Sequence, residues 1–260
     1  MSWIITGKEA NPPLLDAYPG AAAAYSLRQL QSGSYPVVRV RRDSDNAEQD
    51  FTATEVSDGT LAAWVGAGNN GFVRTWYDQS GSSSNAVQSD AALQPKIVSS
   101  GVLVVHSGKP AISFTGGLVR LTSDGLRNRA RLDSFIVKNT SDIQYMLFSG
   151  LGPISFVTES ASPNLLLTQG YGASPILYAN SGQFSGTTRE NVYSFLNGYK
   201  LECHQASSTT GWPVFDIGCY NRSTLFDFVG TIQELIFYAS DQSASRAAIE
   251  NAINAHYSIY

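Results

Sequence analysis

Residues Val73–Gly81 read V-R-T-W-Y-D-Q-S-G, a short run of strand-forming residues that ends in acidic and amide side chains. The segment Val37–Phe51, V-V-R-V-R-R-D-S-D-N-A-E-Q-D-F, has the same form. Apolar and polar residues alternate in both runs, which predicts strands with one buried face. Polar clusters at strand ends can bind sugars, hold calcium or shape a turn, so these segments bear on both fold and function.

The composition predicts one large all-β domain. The chain has 260 residues, of which only 15% are charged, and Gly, Ser, Thr, Asn and Tyr are plentiful. That mixture suits many short strands joined by turns, and a chain of this length can bury a core without metal or disulfide. The net charge of −4 and the lack of a basic stripe argue against nucleic-acid binding. No apolar run is long enough to span a bilayer, and the N-terminus lacks the pattern of a signal peptide, so we expect synthesis in a cytoplasm.

A helix is predicted near each end of a single domain. Pro19–Gln31 has a proline start, an alanine run and a glycine beyond it, which favours a helix. Ala244–Ile259 places Ile249, Ile253 and Tyr257 on one stripe, with Arg246, Glu250 and Asn254 on the opposite side. We therefore divide the domain into an arm and helix (1–33), a β-sandwich (34–240) and a closing helix (241–260).

The remaining pattern predicts strands separated by turns. Asn197-Gly198 lies between two β-rich runs in Asn191–His204 and predicts a type I′ hairpin, because both turn positions need positive φ. Cys203 and Cys219 are the two cysteines; we expect buried thiols, with a disulfide as the alternative if their strands are neighbours. Further strands are predicted near Phe72–Tyr77, Ile97–Val105, Ala111–Phe114, Ser134–Lys138, Tyr145–Phe148, Val214–Cys219 and Thr231–Tyr238.

The C-terminal half resembles the concanavalin A-like jelly roll, in particular its laminin-G-like branch. The resemblance rests on the order of an Asn-Gly turn, an Ile-Gly strand, a Gly-x-Ile-x-Glu strand and a closing helix, and on an early strand at Gly108–Leu121. In this chain the first four pieces are Phe195–Tyr199, Asp216–Cys219, Gly230–Tyr238 and Ala244–Tyr260.

The N-terminal third resembles the catalytic domain of fungal-type α-L-arabinofuranosidases. Ala24–Leu30, Val38–Asn46 and Trp76–Gly81 carry this likeness. The resemblance implies a sugar-cleaving relative, but it places neither the acid nor the nucleophile carboxylate on this chain. A jelly roll without a leader and with this N-terminal block looks most like a bacteriophage virion protein.

Two polar sets are candidate sites. Asp43, Asp45 and Asn46 could supply oxygen ligands to calcium, although their spacing is not that of an EF-hand loop; the alternative is that they cap a turn and pair with arginine. The second set, Trp76, Tyr77, Asp78 and Gln79, could contact a glycan, or could instead fill the core and tie down the following loop. We expect Asp43, Asp45, Asn46 and Asp78 to lie together without exposure.

No catalytic residue is assigned from the sequence. Glycoside hydrolysis needs two carboxyl groups, and nothing distinguishes a pair among the candidates by residue type, which are Asp78, Glu159, Glu190, Glu202, Asp216, Asp227 and Glu234.

The first functional hypothesis is a non-enzymatic bacteriophage virion protein, such as a capsid decoration or tail component. It would self-associate, for example as a trimer, and bind other virion proteins or a host-surface glycan. The alternative is a glycoside hydrolase of arabinofuranosidase type acting on a surface polysaccharide. No cofactor is predicted apart from the calcium considered above.

Overall fold

The computed structural model describes residues 12–140, 148–149, 176–186, 189–211, 213–219, 222 and 227–260. The helices are α1 (Leu14–Ala17), α2 (Ala53–Ser57), α3 (Thr60–Val65), α4 (Arg189–Leu196) and α5 (Arg246–Tyr257), with one 3-10 turn at Ala91–Leu93. The strands are β1 (Ala21–Ser26), β2 (Pro36–Arg42), β3 (Glu48–Thr52), β4 (Gly71–Trp76), β5 (Ala86–Val87), β6 (Lys96–Ser99), β7 (Val102–Leu103), β8 (Val105–His106), β9 (Lys109–Pro110), β10 (Ile112–Thr115), β11 (Leu121–Thr122), β12 (Leu132–Thr140), β13 (Phe148–Ser149), β14 (Ile176–Ala179), β15 (Gly182–Gln183), β16 (Gly198–Ser207), β17 (Asp216–Ile217) and β18 (Val229–Tyr238).

The strands form an antiparallel sandwich, which confirms the predicted all-β class. One half of the sheet runs β3-β2-β4-β5-β11-β17-β13, and the other runs β10-β18-β12-β16-β14-β15 with β1 also on β18. Strand β6 pairs with both β4 and β10 and so connects the halves. The hairpin β8–β9 lies apart from this sheet.

Aromatic side chains from both halves fill the interior. Tyr25 packs on Trp76 with ring centroids 5.7 Å apart, and Phe215 packs on Phe237 at 5.5 Å. All four side chains are fully buried. A second apolar cluster lies between β12, β16 and β18 and the helix α5. The chain therefore has a sandwich core and a helix-covered core.

The predicted helix Pro19–Gln31 is wrong, because Ala21–Ser26 form strand β1. All six residues of β1 are buried, and they pair with β18 from Ala21↔Tyr238 to Ser26↔Glu234. Because both faces of β1 are covered, its sequence does not alternate between apolar and polar residues. Its run of alanines has high helix propensity, which is why the sequence predicted a helix. The helix near the N-terminus is instead the single turn α1.

The predicted hairpin at Asn197-Gly198 is also wrong, because Arg189–Leu196 form helix α4 rather than a strand. Val192 and Leu196 are buried four residues apart, which is the helical period. Gly198 has a φ of +84° and lies just beyond the helix end, where glycine commonly turns the chain. Asn197-Gly198 thus connects helix α4 to strand β16 instead of joining two strands.

The predicted C-terminal helix is confirmed as α5, with Ile249, Ile253 and Tyr257 buried against the sheet. The prediction for Glu250 is wrong: its side chain is fully buried and ion-paired with Arg246. Cys203 and Cys219 are both buried and unbridged. None of the helices in the described part of the chain is long and apolar enough to cross a membrane.

Candidate functional site

One row of side chains crosses six neighbouring strands on a single face of the sheet. Residues that pair directly across antiparallel strands share a face, and the register joins β3, β2, β4, β5, β11 and β17 in turn. The row is Asp50, Arg39, Thr75, Val87, Thr122 and Asp216. The neighbouring row on the other face is Phe51, Val38, Trp76 and Ala86, all fully buried. The first row therefore lies on the face away from the core.

A groove of about 420 Å³ lies at the middle of this row. Val87 and Thr122 of the row line it, together with Asp124, Gly125 and the loop Ser82–Asn85. Val87 is 40% exposed, so it offers apolar surface to the groove. The groove thus combines an apolar patch, several hydroxyl and amide groups and one exposed carboxyl group, which is a lining suited to a sugar ring and its hydroxyls.

Asp78 holds the loop that forms one wall of the groove. Its carboxylate accepts the N–H of Ala24 at 2.8 Å, the N–H of Ser80 at 2.9 Å and the N–H of Ser84 at 3.0 Å. The hydroxyl of Ser80 donates to it at 2.8 Å, and the N–H of Asp78 itself donates to Asn85 at 2.9 Å. Asp78 therefore positions the wall, and its oxygens are engaged within the protein.

The other three predicted glycan contacts divide between core and surface. Trp76 is fully buried and Gln79 is 2% exposed. Tyr77 lies half-buried on the polar face, where its hydroxyl donates to Asp50 at 2.9 Å. Burial, and after it the neighbouring Asp50, raises the pKa of Tyr77. The structure thus brings only Tyr77 of the four to the polar face, and glycan contact by this set stays a prediction.

One carboxyl group, that of Asp124, lines the groove, and a second, that of Asp216, lies buried beside it in contact with Thr122. Asp216 is 1% exposed and accepts the hydroxyl of Thr122 at 2.5 Å and the guanidinium Nε of Arg222 at 3.0 Å. Asp124 is 78% exposed, with its carboxylate 3.5 Å from Arg127. Asp216 is therefore fixed in orientation through a residue of the groove, whereas Asp124 is free to approach a ligand.

The far end of the row is a network of opposite charges. The guanidinium of Arg39 donates to Glu48 at 2.8 Å and to Asp50 at 3.1 Å, and Glu48 is also 3.7 Å from Arg74. The hydrogen bond that Arg39 donates to Glu48 is the main cause that raises the pKa of Arg39. Both carboxylates are about one-third exposed, so this end of the face offers planar polar groups to a ligand.

The side chains of the predicted calcium set are bonded to neighbouring residues of the protein. Asp43 accepts the backbone and side-chain N–H groups of Asn70 at 2.9 and 2.8 Å, and Asn46 accepts Arg41 at 2.9 Å. Asp45 is paired with Arg42 at 2.7 Å, and this contact lowers the pKa of Asp45 to about 2. No group of three or more His, Cys, Asp or Glu side chains suited to a metal occurs among the residues that the structure describes. Calcium binding at this turn stays a prediction.

The expectation that these residues lie together with Asp78 is wrong. Asp43 bonds to Asn70, which immediately precedes β4, whereas Asp78 follows the other end of that strand. A strand rises about 3.3 Å per residue, so the six residues of β4 separate the two carboxylates by the length of the strand.

The other candidate carboxyl groups are used inside the fold. Glu202 lies 2.8 Å from Lys138 and 3.0 Å from His204, with all three side chains fully buried. Burial alone would raise the pKa of Glu202, but Lys138 and His204 together hold it below its usual value. Glu234 is fully buried and paired with Arg28 at 2.7 Å.

Of the remaining candidates, Asp227 accepts the N–H of Leu118 at 2.8 Å, and Glu190 lies in α4. Glu159 lies outside the described residues. Sequence reasoning missed Thr122, Asp124 and Arg222, although the alternation in L-T-S-D at 121–124 was a signal that Thr122 and Asp124 share a face.

Comparison with known proteins gives matches in structure alone. No protein-family profile matches this sequence, and no curated protein matches it significantly. A GH54 α-L-arabinofuranosidase soaked with a cyclic sulfate inhibitor superposes with a TM-score of 0.58 at 14% identity, covering 92% of this chain and 64% of that one. A mutant of a GH54 α-L-arabinofuranosidase soaked with 4-nitrophenyl α-L-arabinofuranoside gives 0.56 at 12% identity, and an arabinofuranosidase complexed with arabinofuranosyl-α-1,2-xylobiose gives 0.56 at 14%, both with the same coverage.

These similarities show a β-sandwich fold shared with those arabinofuranosidases, and this chain spans 64% of the length of those enzymes. They also correct the first functional hypothesis. The structures that share the fold are sugar-cleaving enzymes, so they favour the glycoside hydrolase alternative over a non-enzymatic virion protein. The concanavalin A-like assignment and self-association stay predictions from the sequence.

Proposed function

We propose that this chain is a carbohydrate-active protein of glycoside hydrolase type, which takes an α-L-arabinofuranosyl unit of a polysaccharide into the groove between Ser82–Asn85 and Asp124. The observation that carries the proposal is the groove itself, lined by the exposed carboxyl group of Asp124 and backed by the buried Asp216 through Thr122, on a sandwich whose structural neighbours are arabinofuranosidases. Val87 would contact the ring, and the loop hydroxyls and amide would bind its hydroxyl groups.

The proposed chemistry assigns different roles to the two carboxyl groups. Glycosidases use one carboxyl group as general acid and the other as nucleophile or base, with separations of about 5 Å in retaining and about 6.5–9.5 Å in inverting enzymes. Asp216, held by Thr122 and Arg222, has the fixed orientation that a nucleophile or base needs. Asp124 is exposed and would donate the proton to the leaving oxygen.

A second candidate is glycan binding without turnover. This candidate is favoured because both carboxylate oxygens of Asp216 accept hydrogen bonds within the protein, Oδ1 from Thr122 and Oδ2 from Arg222. A carboxylate bonded in this way can hold a groove in shape without attacking a sugar. The two candidates share a ligand and differ in whether a bond is broken.

The test measures hydrolysis of 4-nitrophenyl α-L-arabinofuranoside, and calorimetric binding of arabinan and arabinoxylan oligosaccharides. We expect release of nitrophenol that falls at least about 100-fold in Asp216→Asn and in Asp124→Asn, because one catalytic group typically contributes 10²–10⁴-fold. Asp58→Asn is the matched control, since Asp58 is an exposed turn residue that accepts the N–H of Thr60 and lies outside the groove.

Binding without hydrolysis, weakened by Thr122→Val but not by Asp58→Asn, would establish the second candidate in place of the first. If neither hydrolysis nor binding is seen with any of these saccharides, the proposal is wrong. Thermal melting of each variant shows whether a loss comes from the groove or from unfolding.

A further inference from the structure

A second cavity lies away from the groove, between the β8–β9 hairpin, helix α2 and the end of helix α5. Its volume is about 460 Å³, and it shares no lining residue with the groove. Sites for small molecules typically have volumes of about 300–1,000 Å³ and combine apolar walls with a few convergent polar groups. This cavity has both features.

Three basic side chains line the cavity, and none of its lining residues in the described part of the chain carries a carboxyl group. They are Arg28, Lys109 and His256. The charge of Arg28 is balanced by Glu234 behind it, through two hydrogen bonds of 2.7 and 2.8 Å. Lys109 makes no ion pair with any residue in the described part of the chain. The cavity therefore carries an unbalanced positive charge.

The basic groups lie close enough to act on one another. The pKa of His256 is lowered to about 4, by burial first and then by Arg28, with Lys109 adding to the effect and Glu234 opposing it. The groups around the His256 imidazole are thus Arg28 after β1, Lys109 on β9, Glu234 on β18 and the adjacent Tyr257 on α5, whose ring centroid is 4.6 Å away. An anion placed among them would relieve this repulsion.

The polar groups are held in place before any ligand binds. The buried amide of Gln233 donates to the carbonyl oxygens of His106 and Lys109 at 3.1 Å and of Pro110 at 3.2 Å, which fixes the β8–β9 hairpin. Arg28 is held by Glu234 and lies 5.4 Å from the Tyr257 ring centroid. Such preorganisation reduces the entropy cost of binding.

One wall of the cavity is aliphatic, and Gln29, Thr54 and Ser57 add neutral polar groups to the lining. Leu27, Leu103, Val105 and Pro110 contribute apolar surface, and Val105 is 53% exposed. Inorganic anions gain nothing from such walls, whereas burying an apolar body is favourable by about 25 cal/mol per Å². The ligand that matches both parts of the lining has one negative charge and an apolar body.

We propose that this cavity binds an organic monocarboxylate with an apolar body, with the carboxylate between Lys109 and His256 and the body against the aliphatic wall. The proposal concerns a different cavity from the glycan groove and does not depend on the function proposed there.

The experiment compares benzoate with its neutral analogue benzamide and with inorganic phosphate, using calorimetry and the NMR titration of the His256 ring on the full chain. We expect benzoate to bind and to raise the titration midpoint of His256, because the carboxylate favours the imidazolium form. Benzamide and phosphate should bind at least about tenfold more weakly, since each lacks one of the two features. Lys109→Met should weaken benzoate binding about tenfold, the usual effect of losing one charge-assisted hydrogen bond.

Lys96→Met is the control, because Lys96 lies over the Phe72 ring and does not line the cavity. It should bind benzoate as the parent does. Equal binding of benzamide would show that charge is not recognised, and equal binding of phosphate would show that the apolar wall is not used; either result overturns the proposal. It is also overturned if benzoate fails to bind, or binds without moving the His256 midpoint.

Discussion

The buried amide of Gln79 connects the end of β4 to the chain that follows β1, and its removal should destabilise the whole sandwich. Its Oε1 accepts the N–H of Leu30 at 2.8 Å, and its Nε2 donates to the carbonyl oxygens of Ser26 and Arg28 at 3.0 Å each. Gln79→Met keeps the length and approximate volume of the side chain and removes all three bonds, so the expected loss comes from hydrogen bonding rather than from a cavity.

The magnitude follows from the number of backbone groups left without a partner. A buried donor or acceptor that loses its partner costs about 1–3 kcal/mol. One of the three contacts involves partly exposed chain, at Arg28, where water can replace some of the loss, so we take the lower part of that range. The expected decrease in the free energy of unfolding is about 3–5 kcal/mol, a large share of the about 5–15 kcal/mol typical of a domain.

Urea denaturation followed by tryptophan fluorescence measures this change. We expect a lower transition midpoint with an unchanged slope, since the surface exposed on unfolding stays the same. Gln49→Met is the control, because Gln49 is an exposed glutamine on β3 and its replacement should change stability by less than about 0.5 kcal/mol. A loss below about 1 kcal/mol in Gln79→Met would refute the inference that this amide holds the corner together.

Three further predictions follow from the buried and loop contacts. Lys138→Met removes the cation beside the buried Glu202 and should lower the free energy of unfolding by about 3–5 kcal/mol, measured by urea denaturation. The double variant Lys138→Met/Glu202→Gln should recover part of this loss, because no buried charge is then left without its partner. A loss under about 1 kcal/mol in Lys138→Met contradicts a stabilising pair. Asp78→Ala should make the Ser80–Asn85 loop the first site of limited proteolysis, whereas unchanged cleavage would show that the loop holds itself. The pKa values of Asp45 and Glu202 are lowered in the folded protein, so their stabilisation is present above the ordinary carboxyl range and is lost as pH falls through the folded values. The melting temperature should therefore fall below about pH 4, and less steeply in Asp45→Asn; an equal slope in that variant contradicts the assignment to Asp45.

Local sequence patterns predicted the strands and helices that bury one face and leave the other face at least partly exposed. Strands β2 and β4 alternate polar and apolar residues because one face lies on the core and the other is half-exposed. Helix α5 was predicted for the same reason, since it buries one stripe. Strand β1 was missed because it is buried on both faces, so its alanines carry no alternation and their helix propensity is outweighed by pairing with β18.

The groove could not be predicted from local patterns, because its residues meet only through strand pairing. Val87, Thr122 and Asp216 are neighbours on β5, β11 and β17 although the sequence separates them widely. The same holds for Glu202 with Lys138, which lie on adjacent strands with a register that only the folded chain defines. By contrast, the role of Asp78 in holding the loop after it was one of the two alternatives that the sequence offered, because such bonds are local.

The likeness of W-Y-D-Q-S-G to sugar-cleaving enzymes therefore reflects a shared scaffold, and the proposed chemistry rests on the groove residues instead. Trp76 packs in the core, Asp78 and Gln79 satisfy backbone groups, and none of these three has a free polar atom on the polar face. Variants in this segment should lose function only in proportion to the folded fraction. Under the proposed function, Asp124→Asn should lose turnover with the fold intact, and Asp216→Asn should lose more turnover than its loss of stability explains, so measuring stability and turnover on the same variants separates the two contributions.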